Sequence, residues 1–252
     1  MDRPQGEGWW LAADGRWYPP EASAAAASPD LPSQPIATAA QVVFYVVTGL
    51  TLGAALAQFN EIVRFGAFMG DDGDARALSD LADAEEVTGI FVLLAGLAMI
   101  GLFMLTLVWM HQAYRATDRY PAHGRTWGAG WAVGGWFIPI ANYVIPKLVV
   151  NEIDRVSDPA NTALLADGRW RAGEVMGISN AWWALFVVGS VLFWVGSGIA
   201  GTEVDQGSIL DFDAGRYRTG LWLIALGLMV WAGAAVAGSA VVRRLTERLH
   251  AG

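Results

Sequence analysis

The sequence predicts an all-α integral membrane protein with four transmembrane helices and a proline-broken segment between the second and the third. Of its 252 residues, 54% are hydrophobic and only 16% are charged, and the mean hydropathy is +0.37. This balance is typical of membrane proteins rather than soluble domains. Four apolar runs each have the roughly 20 residues that a bilayer core requires. A fifth apolar stretch is interrupted by Pro139 and Pro146.

The composition also excludes several classes of function. The net charge of -8 argues against a nucleic-acid partner, which needs a basic face. There are no cysteines, and the three histidines lie far apart in the sequence, so we expect no metal site. Phosphate-binding loops, nucleophile elbows and metalloprotease motifs are absent from the sequence. We therefore expect no catalytic residues and no cofactor, and a protein that is not an enzyme.

Residues 1–21 form a tryptophan-rich module, and residues 22–37 form an Ala/Ser/Pro-rich linker. Asp14-Gly15 lies between two aromatic pairs, a pattern that predicts a β-hairpin with a type I′ turn. One interpretation is a small cytoplasmic docking module. The other is an amphipathic tail on the membrane surface, with its rings among the lipid headgroups. The aromatic residues concerned are Trp9, Trp10, Trp17 and Tyr18.

The membrane domain is expected to cover residues 38–250. Each span must be helical, because no water is present in the bilayer core to satisfy an open backbone. The four predicted spans are residues 38–59, 87–110, 175–200 and 219–242.

The distribution of basic residues predicts the orientation of these spans. Twelve of the sixteen Lys and Arg residues lie in the two termini and in the region 111–173, and the other four lie in the connections 60–86 and 201–218. The positive-inside rule therefore places both termini in the cytoplasm. A fifth crossing at 127–150 would remove this bias, so we expect that stretch to enter and leave on the cytoplasmic side, as part of a re-entrant segment at about 127–156.

Two interpretations of this segment remain open. If it were helical, Pro139, Asn142 and Pro146 would share one face, with two backbone acceptors left free by the prolines. It is then either a re-entrant element lining a cavity, as in transporters, or a kinked structural or interfacial helix whose asparagine bonds a neighbouring helix. Beyond Pro146 the pattern predicts an amphipathic interfacial helix, in which Glu152 could pair with Arg155 or Arg115.

The string from Trp131 to Ile153 resembles the bacterial membrane family known as domain of unknown function 4328. The upstream Trp109 and the run Ala113-Tyr114-Arg115 also look like the family, whereas Ala116 stands where an asparagine is expected. The resemblance implies a membrane location in bacteria and no known activity. The tail from Gly8 to Pro20 is similar to short tryptophan-rich modules found ahead of membrane segments in high-GC bacteria. The residues that match the central signature are Trp136, Phe137, Ile138, Pro139, Asn142, Pro146 and Glu152.

We expect a non-enzymatic, multi-pass protein of the bacterial plasma membrane, with an interaction or scaffold role in the cell envelope. Its partners would be the lipid bilayer and other membrane or cytoplasmic proteins that bind the N-terminal module. The alternative is a small transporter or channel component with a site at Pro139, Asn142 and Pro146. A membrane enzyme ranks third.

Overall fold

A computed structural model describes residues 9–11, 17–18, 31–70, 74–205 and 212–251. Apart from one pair of short strands, its regular structure is helical. Strand β1 is Trp10–Leu11 and strand β2 is Trp17–Tyr18. The α-helices are α1 (Gln34–Gly70), α2 (Ala75–Ala116), α3 (Ala129–Gly134), α4 (Ile145–Ser157), α5 (Thr162–Ala166), α6 (Gly177–Asp205) and α7 (Ala214–Ala251).

The two strands pair antiparallel, with Trp10 opposite Tyr18 and Leu11 opposite Trp17. The predicted hairpin is therefore present as a strand pair. Five residues separate Leu11 from Trp17, and the predicted type I′ turn at Asp14-Gly15 lies outside the described residues.

Four helices, α1, α2, α6 and α7, are long and apolar enough to cross a membrane. Helices α1 and α2 are longer than the predicted spans, because residues 60–70 and 75–86, expected to form an acidic loop, are helical. The run of Ala, Leu, Asp and Glu after Asp74 has no proline or glycine to stop a helix, and its charges remain in water. Helix α6 begins at Gly177, two residues after the expected start of the third span.

The long helices pack in the order α2, α1, α7, α6. The middle pair, α1 and α7, is more buried than the outer pair. The backbones of α6 and α7 approach closely, since a Cβ atom added to Gly196 would lie 2.7 Å from the carbonyl oxygen of Gly220. Glycine at this crossing lets the two backbones touch, as small residues do in membrane helix pairs.

The connections place the central region at one end of this helix layer. Residues 71–74 join α1 to α2, and residues 206–213 join α6 to α7, so the helix ends that these two short connections join lie at the same end of the layer. Residues 117–176, which contain α3, α4 and α5, connect α2 to α6 at the opposite end. The main hydrophobic core lies there, with Trp109, Met110, Val149, Val150 and Ile153 almost fully buried.

Candidate functional site

The proline-containing stretch folds as a hairpin between α3 and α4. Helix α3 ends at Gly134, and a Cβ atom added to Gly135 would lie 2.4 Å from the side chain of Ile145, the first residue of α4. The two arms of the hairpin therefore touch at Gly135, which has no side chain. Residues 136–144 form the tip that joins them.

The tip contains a strained turn. Ile140 has a φ of 68° and a ψ of -48°, and the amide of Ala141 donates to the carbonyl of Pro139 at 2.8 Å. This geometry is a γ-turn of the rare, strained kind, and a β-branched residue at positive φ is an outlier. The Ile140 side chain is 85% exposed, so its own packing does not compensate for the strain.

The shared helical face expected for Pro139, Asn142 and Pro146 is not present. Pro139 lies in the tip, Asn142 belongs to a short 3-10 helix (Ala141–Tyr143), and Pro146 is the second residue of α4. A proline in the first turn of a helix removes no intrahelical hydrogen bond, because the amides there have no partner inside the helix. The helix is broken by the tip, and Pro146 helps α4 to begin.

The tip is wedged between the two outer long helices. The ring of Trp136 makes edge contacts with Phe103 of α2 at 5.6 Å and with Trp183 of α6 at 5.9 Å. The indole nitrogen of Trp183 donates to the carbonyl of Tyr143 at 2.9 Å. Phe103 lies 13 residues before the end of α2, so the tip reaches about 20 Å along that helix. The aromatic rings therefore connect α2 to α6 through the hairpin.

Two buried polar atoms in this wedge have no protein partner within the described part of the chain. They are the indole nitrogen of Trp136, a donor, and the side-chain oxygen of Asn142, an acceptor. A buried polar atom without a hydrogen bond costs about 1–3 kcal/mol. The structural interpretation expected the side chain of Asn142 to bond a neighbouring helix. The amide oxygen makes no such bond to any described residue.

Glu152 anchors α4 to the end of α2 and to the approach to α3. Its carboxylate accepts a hydrogen bond from the Tyr114 hydroxyl at 2.6 Å and from the backbone amides of Thr126 and Trp127 at 3.1 and 3.5 Å. The Tyr114 hydroxyl is also in contact with the carbonyl of Trp127. A buried carboxylate is tolerated when donors surround it in this way. The expected partners of Glu152 were Arg155 and Arg115, whereas these donors come from other residues.

Asp154 connects α4 to α7 and to the segment before α6. Its side chain is 0% exposed and accepts from Arg248 at 2.7 Å and from the amide of Met176 at 2.6 Å. Arg248 also pairs with Asp158 at 3.0 Å. Burial raises the pKa of Asp154, against the opposing effects of the Met176 amide and Arg248.

Lys147 completes the polar side of α4. Its ammonium group donates to Asn151 at 2.6 Å and to Ser179 of α6 at 2.7 Å. Burial lowers the pKa of Lys147 to about 8, although Asp154 acts in the other direction. The polar face of the predicted amphipathic helix thus contacts α2, α6 and α7 rather than the membrane interface. Leu148 of the same helix is exposed.

The charged side chains of α4 are engaged in hydrogen bonds with fixed partners. Both buried carboxylates, those of Glu152 and Asp154, accept hydrogen bonds from fixed donors, and the Lys147 ammonium has two acceptors. No group of three or more His, Cys, Asp or Glu side chains that could hold a metal ion occurs among the described residues. We call α3, the tip and α4 together the cap.

The other candidate residues lie outside the cap. Arg115 is on the exposed side of α2, near its end. Trp10, Trp17 and Tyr18 belong to the strand pair, and Trp9 precedes it. Sequence reasoning missed the contact between Asp154 and Arg248, which are 94 residues apart in the chain. No local pattern signals such a pair, since both residues fit a solvent-facing position on an amphipathic helix.

The profile of a family described as a domain of unknown function, DUF4328, matches residues 72–247 of this chain. The protein belongs to the DUF4328 family. The match contains α2, the whole cap, α5, α6 and most of α7, and it begins after α1 and the strand pair. The resemblance predicted from the central string is thereby confirmed. No curated protein and no solved structure matches the chain.

In the DUF4328 region of this protein, the signature residues have identifiable structural places. Trp136 fills the wedge between α2 and α6, Pro146 stands in the first turn of α4, and Glu152 holds α4 against Tyr114. Phe137 also touches Phe103, with ring centroids 6.0 Å apart. The signature thus describes how the cap is attached to the long helices.

Proposed function

We propose that this DUF4328 protein is a non-enzymatic, multi-pass protein of the bacterial plasma membrane that serves as an interaction scaffold. In this proposal both termini are cytoplasmic, the cap closes the cytoplasmic end of the helix layer, and the N-terminal module docks a membrane or cytoplasmic protein. The observation that carries the proposal is the engagement of the cap's charged side chains in contacts between helices, which leaves them unavailable for acid–base chemistry.

The polar contacts of the cap support a static platform. Glu152, Asp154 and Lys147 attach one helix to α2, α7 and α6 in turn. An arrangement that fixes three long helices at one end favours a rigid support over a moving gate, because each contact would have to break for the cap to move.

The start of α1 supports the idea that the tail is presented from this same end. The amide of Ser33 donates to the side-chain oxygen of Gln112, near the end of α2, at 2.8 Å. The chain preceding α1 therefore leaves the helix layer beside the cap. A paired strand carrying aromatic residues suits the capture of an extended segment or an apolar patch.

The test fuses a proximity-labelling enzyme to the N-terminus of the full-length protein. The set of labelled proteins is compared between the wild type and two variants. We expect replacement of Trp9, Trp10, Trp17 and Tyr18 by alanine to remove specific partners while leaving membrane insertion and thermal stability unchanged. The matched control replaces residues 22–28 with a Gly/Ser linker of equal length, which should keep the partners. An unchanged partner set in the alanine variant would contradict the docking role.

A second candidate is a small transporter or channel component with its site in the tip. The unpartnered Trp136 nitrogen and Asn142 oxygen support it, because buried polar atoms without protein partners suit a transient ligand. It ranks second because the tip packs against aromatic rings, those of Phe103 and Trp183 at Trp136 and that of Phe186 at Tyr143. An Asn142→Leu variant that stays fully stable but loses solute flux in proteoliposomes would favour this candidate over the first.

A further inference from the structure

A surface pocket of about 200 Å³ lies between α1 and α2, in the half of the helix layer away from the cap. Most of its lining residues are polar or charged, and none is aromatic. They are Asn60, Arg64, Asp80, Asp83, Ala84 and Val87. A molecule in this pocket therefore meets a guanidinium group from one helix and carboxylates from the other.

The pocket lies at the boundary of the two predicted membrane spans that adjoin it. Asn60 directly follows the first predicted span, and Val87 is the first residue of the second. Residues three or four positions apart share a helix face, so Leu56 lies one turn from Asn60 and Ile90 one turn from Val87, both towards the apolar side. Both side chains are exposed. The polar pocket is therefore continuous with an exposed apolar surface.

Arg64 provides the positive charge of the pocket, and Asp80 holds it in place. The guanidinium donates to the carboxylate of Asp80 at 2.9 Å, across the two helices. A guanidinium has five N–H groups, and those not bound to Asp80 have no acceptor within the described part of the chain. Arg64 can therefore donate to a phosphate group while it keeps its ion pair with Asp80.

Asp83 provides a negative charge that is not neutralised by the protein. None of the ion pairs in the described ranges includes this residue. It lies three positions after Asp80, on the same face of α2. Across the pocket, the amide of Asn60 can both donate and accept hydrogen bonds. These oxygen atoms suit a primary ammonium group, which has three N–H donors.

The lining residues also exclude several classes of ligand. Proteins hold a trimethylammonium group with aromatic rings, and this pocket has none. A purely anionic ligand would meet two carboxylates against one guanidinium. A divalent cation needs six or more oxygen ligands, and it would face the guanidinium that is paired with Asp80. A ligand with both a phosphate and a primary ammonium group matches the charges of both helices.

We propose that this pocket binds the headgroup of a phospholipid that carries a primary ammonium group, of the phosphatidylethanolamine class. Arg64 donates to the phosphate, Asp83 accepts from the ammonium group, and the acyl chains lie over Leu56 and Ile90. The apolar surface that continues from the pocket favours a lipid over a soluble compound with the same headgroup. In the orientation that the basic residues predict, the lipid belongs to the outer leaflet. The site is separate from the cap, and it does not depend on docking by the N-terminal module.

Native mass spectrometry of the full-length protein, released from detergent, tests this site. The protein is titrated with phosphatidylethanolamine, phosphatidylcholine and phosphatidylglycerol that have identical acyl chains. We expect phosphatidylethanolamine to bind about tenfold more tightly than either of the others, because neither of them has an ammonium group that can donate a hydrogen bond to Asp83.

Three variants connect this preference to the pocket. Asp83→Asn should weaken the binding of phosphatidylethanolamine about tenfold, to the level of phosphatidylcholine, because a neutral amide does not attract the ammonium group. Arg64→Gln should weaken the binding of all three lipids, since each has a phosphate. The matched control is Glu86→Gln, which removes one charge from an exposed position of α2 outside the pocket and should keep the preference. An unchanged Tm shows that each variant is folded.

Equal binding of the three lipids would overturn the proposal, and so would an Asp83→Asn variant that keeps the preference. Two competitors identify other occupants. Displacement of the lipid by an equal concentration of soluble phosphoethanolamine would show that the acyl chains contribute nothing and that the ligand is a soluble compound. Displacement by calcium chloride, but not by sodium chloride at the same ionic strength, would show that the carboxylates hold a cation. A lipid that resists both competitors supports the proposed site.

Discussion

At the scale of single residues, each contact that holds the cap includes a charged group in a buried or half-buried position. Asp154 is the most buried of them, and its two donors belong to different parts of the chain, Arg248 of α7 and the amide of Met176. Such a group strongly favours one arrangement of α4, because any displacement leaves a charge without a partner.

Replacing Asp154 by alanine should therefore destabilise the protein by about 3 kcal/mol, since it leaves the buried amide of Met176 unpaired and removes the buried partner of Arg248, which keeps only Asp158. The matched control is Asp158→Ala, which removes the second carboxylate from the same Arg248. Asp158 is partly exposed, so its loss should cost about 0–1 kcal/mol. Thermal unfolding of both variants in detergent measures the difference, and equal losses would show that burial of Asp154 does not matter.

At the scale of elements, the sequence indicated where the helices lie better than it indicated which faces they bury. The four long apolar runs predict helices because each must satisfy its backbone internally. The prolines correctly predicted a broken segment between them, but an ideal helical projection assigned Pro139, Asn142 and Pro146 to one face. Their true places depend on the contact between Gly135 and Ile145 and on the turn at Ile140, which no local pattern determines.

Helix α4 is a second case in which the sequence predicted the helix but not the surroundings of its polar face. Its polar and apolar residues do lie on different faces. If the polar face is assumed to contact water, this pattern predicts a helix at the membrane interface. In the structure this face contacts Tyr114, Ser179 and Arg248. These partners lie on α2, α6 and α7, and the hydrophobic pattern of one helix holds no information about charged groups on others.

The tip provides a prediction at this scale. Replacing Ile140 by glycine should stabilise the protein by about 1 kcal/mol, because relief of a strained backbone, about 1–3 kcal/mol, exceeds the added flexibility of glycine in the unfolded chain. The control is Ile138→Gly in the same tip, where φ is not positive and only the cost of glycine and lost contacts remains. The two variants should shift the Tm in opposite directions. A loss of stability in both would mean that the Ile140 side chain contributes more than the strain costs.

At the scale of the whole molecule, the two ends of the helix layer differ in charge and in construction. The cap end holds buried acids next to Arg248 and Lys147. The opposite end holds the exposed acidic residues of α2 between Asp80 and Glu86, and the buried Glu61, which forms no ion pair with a described residue. The positive-inside rule predicts the orientation of membrane helices from such a difference in charge between their two ends.

This asymmetry predicts the topology, which reporter fusions can measure. Because twelve of the sixteen basic residues lie in the termini and the region 111–173, a reporter that is active only in the cytoplasm should work after residue 160 and at the C-terminus. The same reporter should fail when inserted in either of the two short connections, residues 71–74 and 206–213. With four crossings the cap and both termini share one side, so activity after residue 160 without activity at the C-terminus would require an odd number of spans. That result would place the tip of the cap across the bilayer instead of between α2 and α6, and the wedge formed by Trp136 would have no explanation.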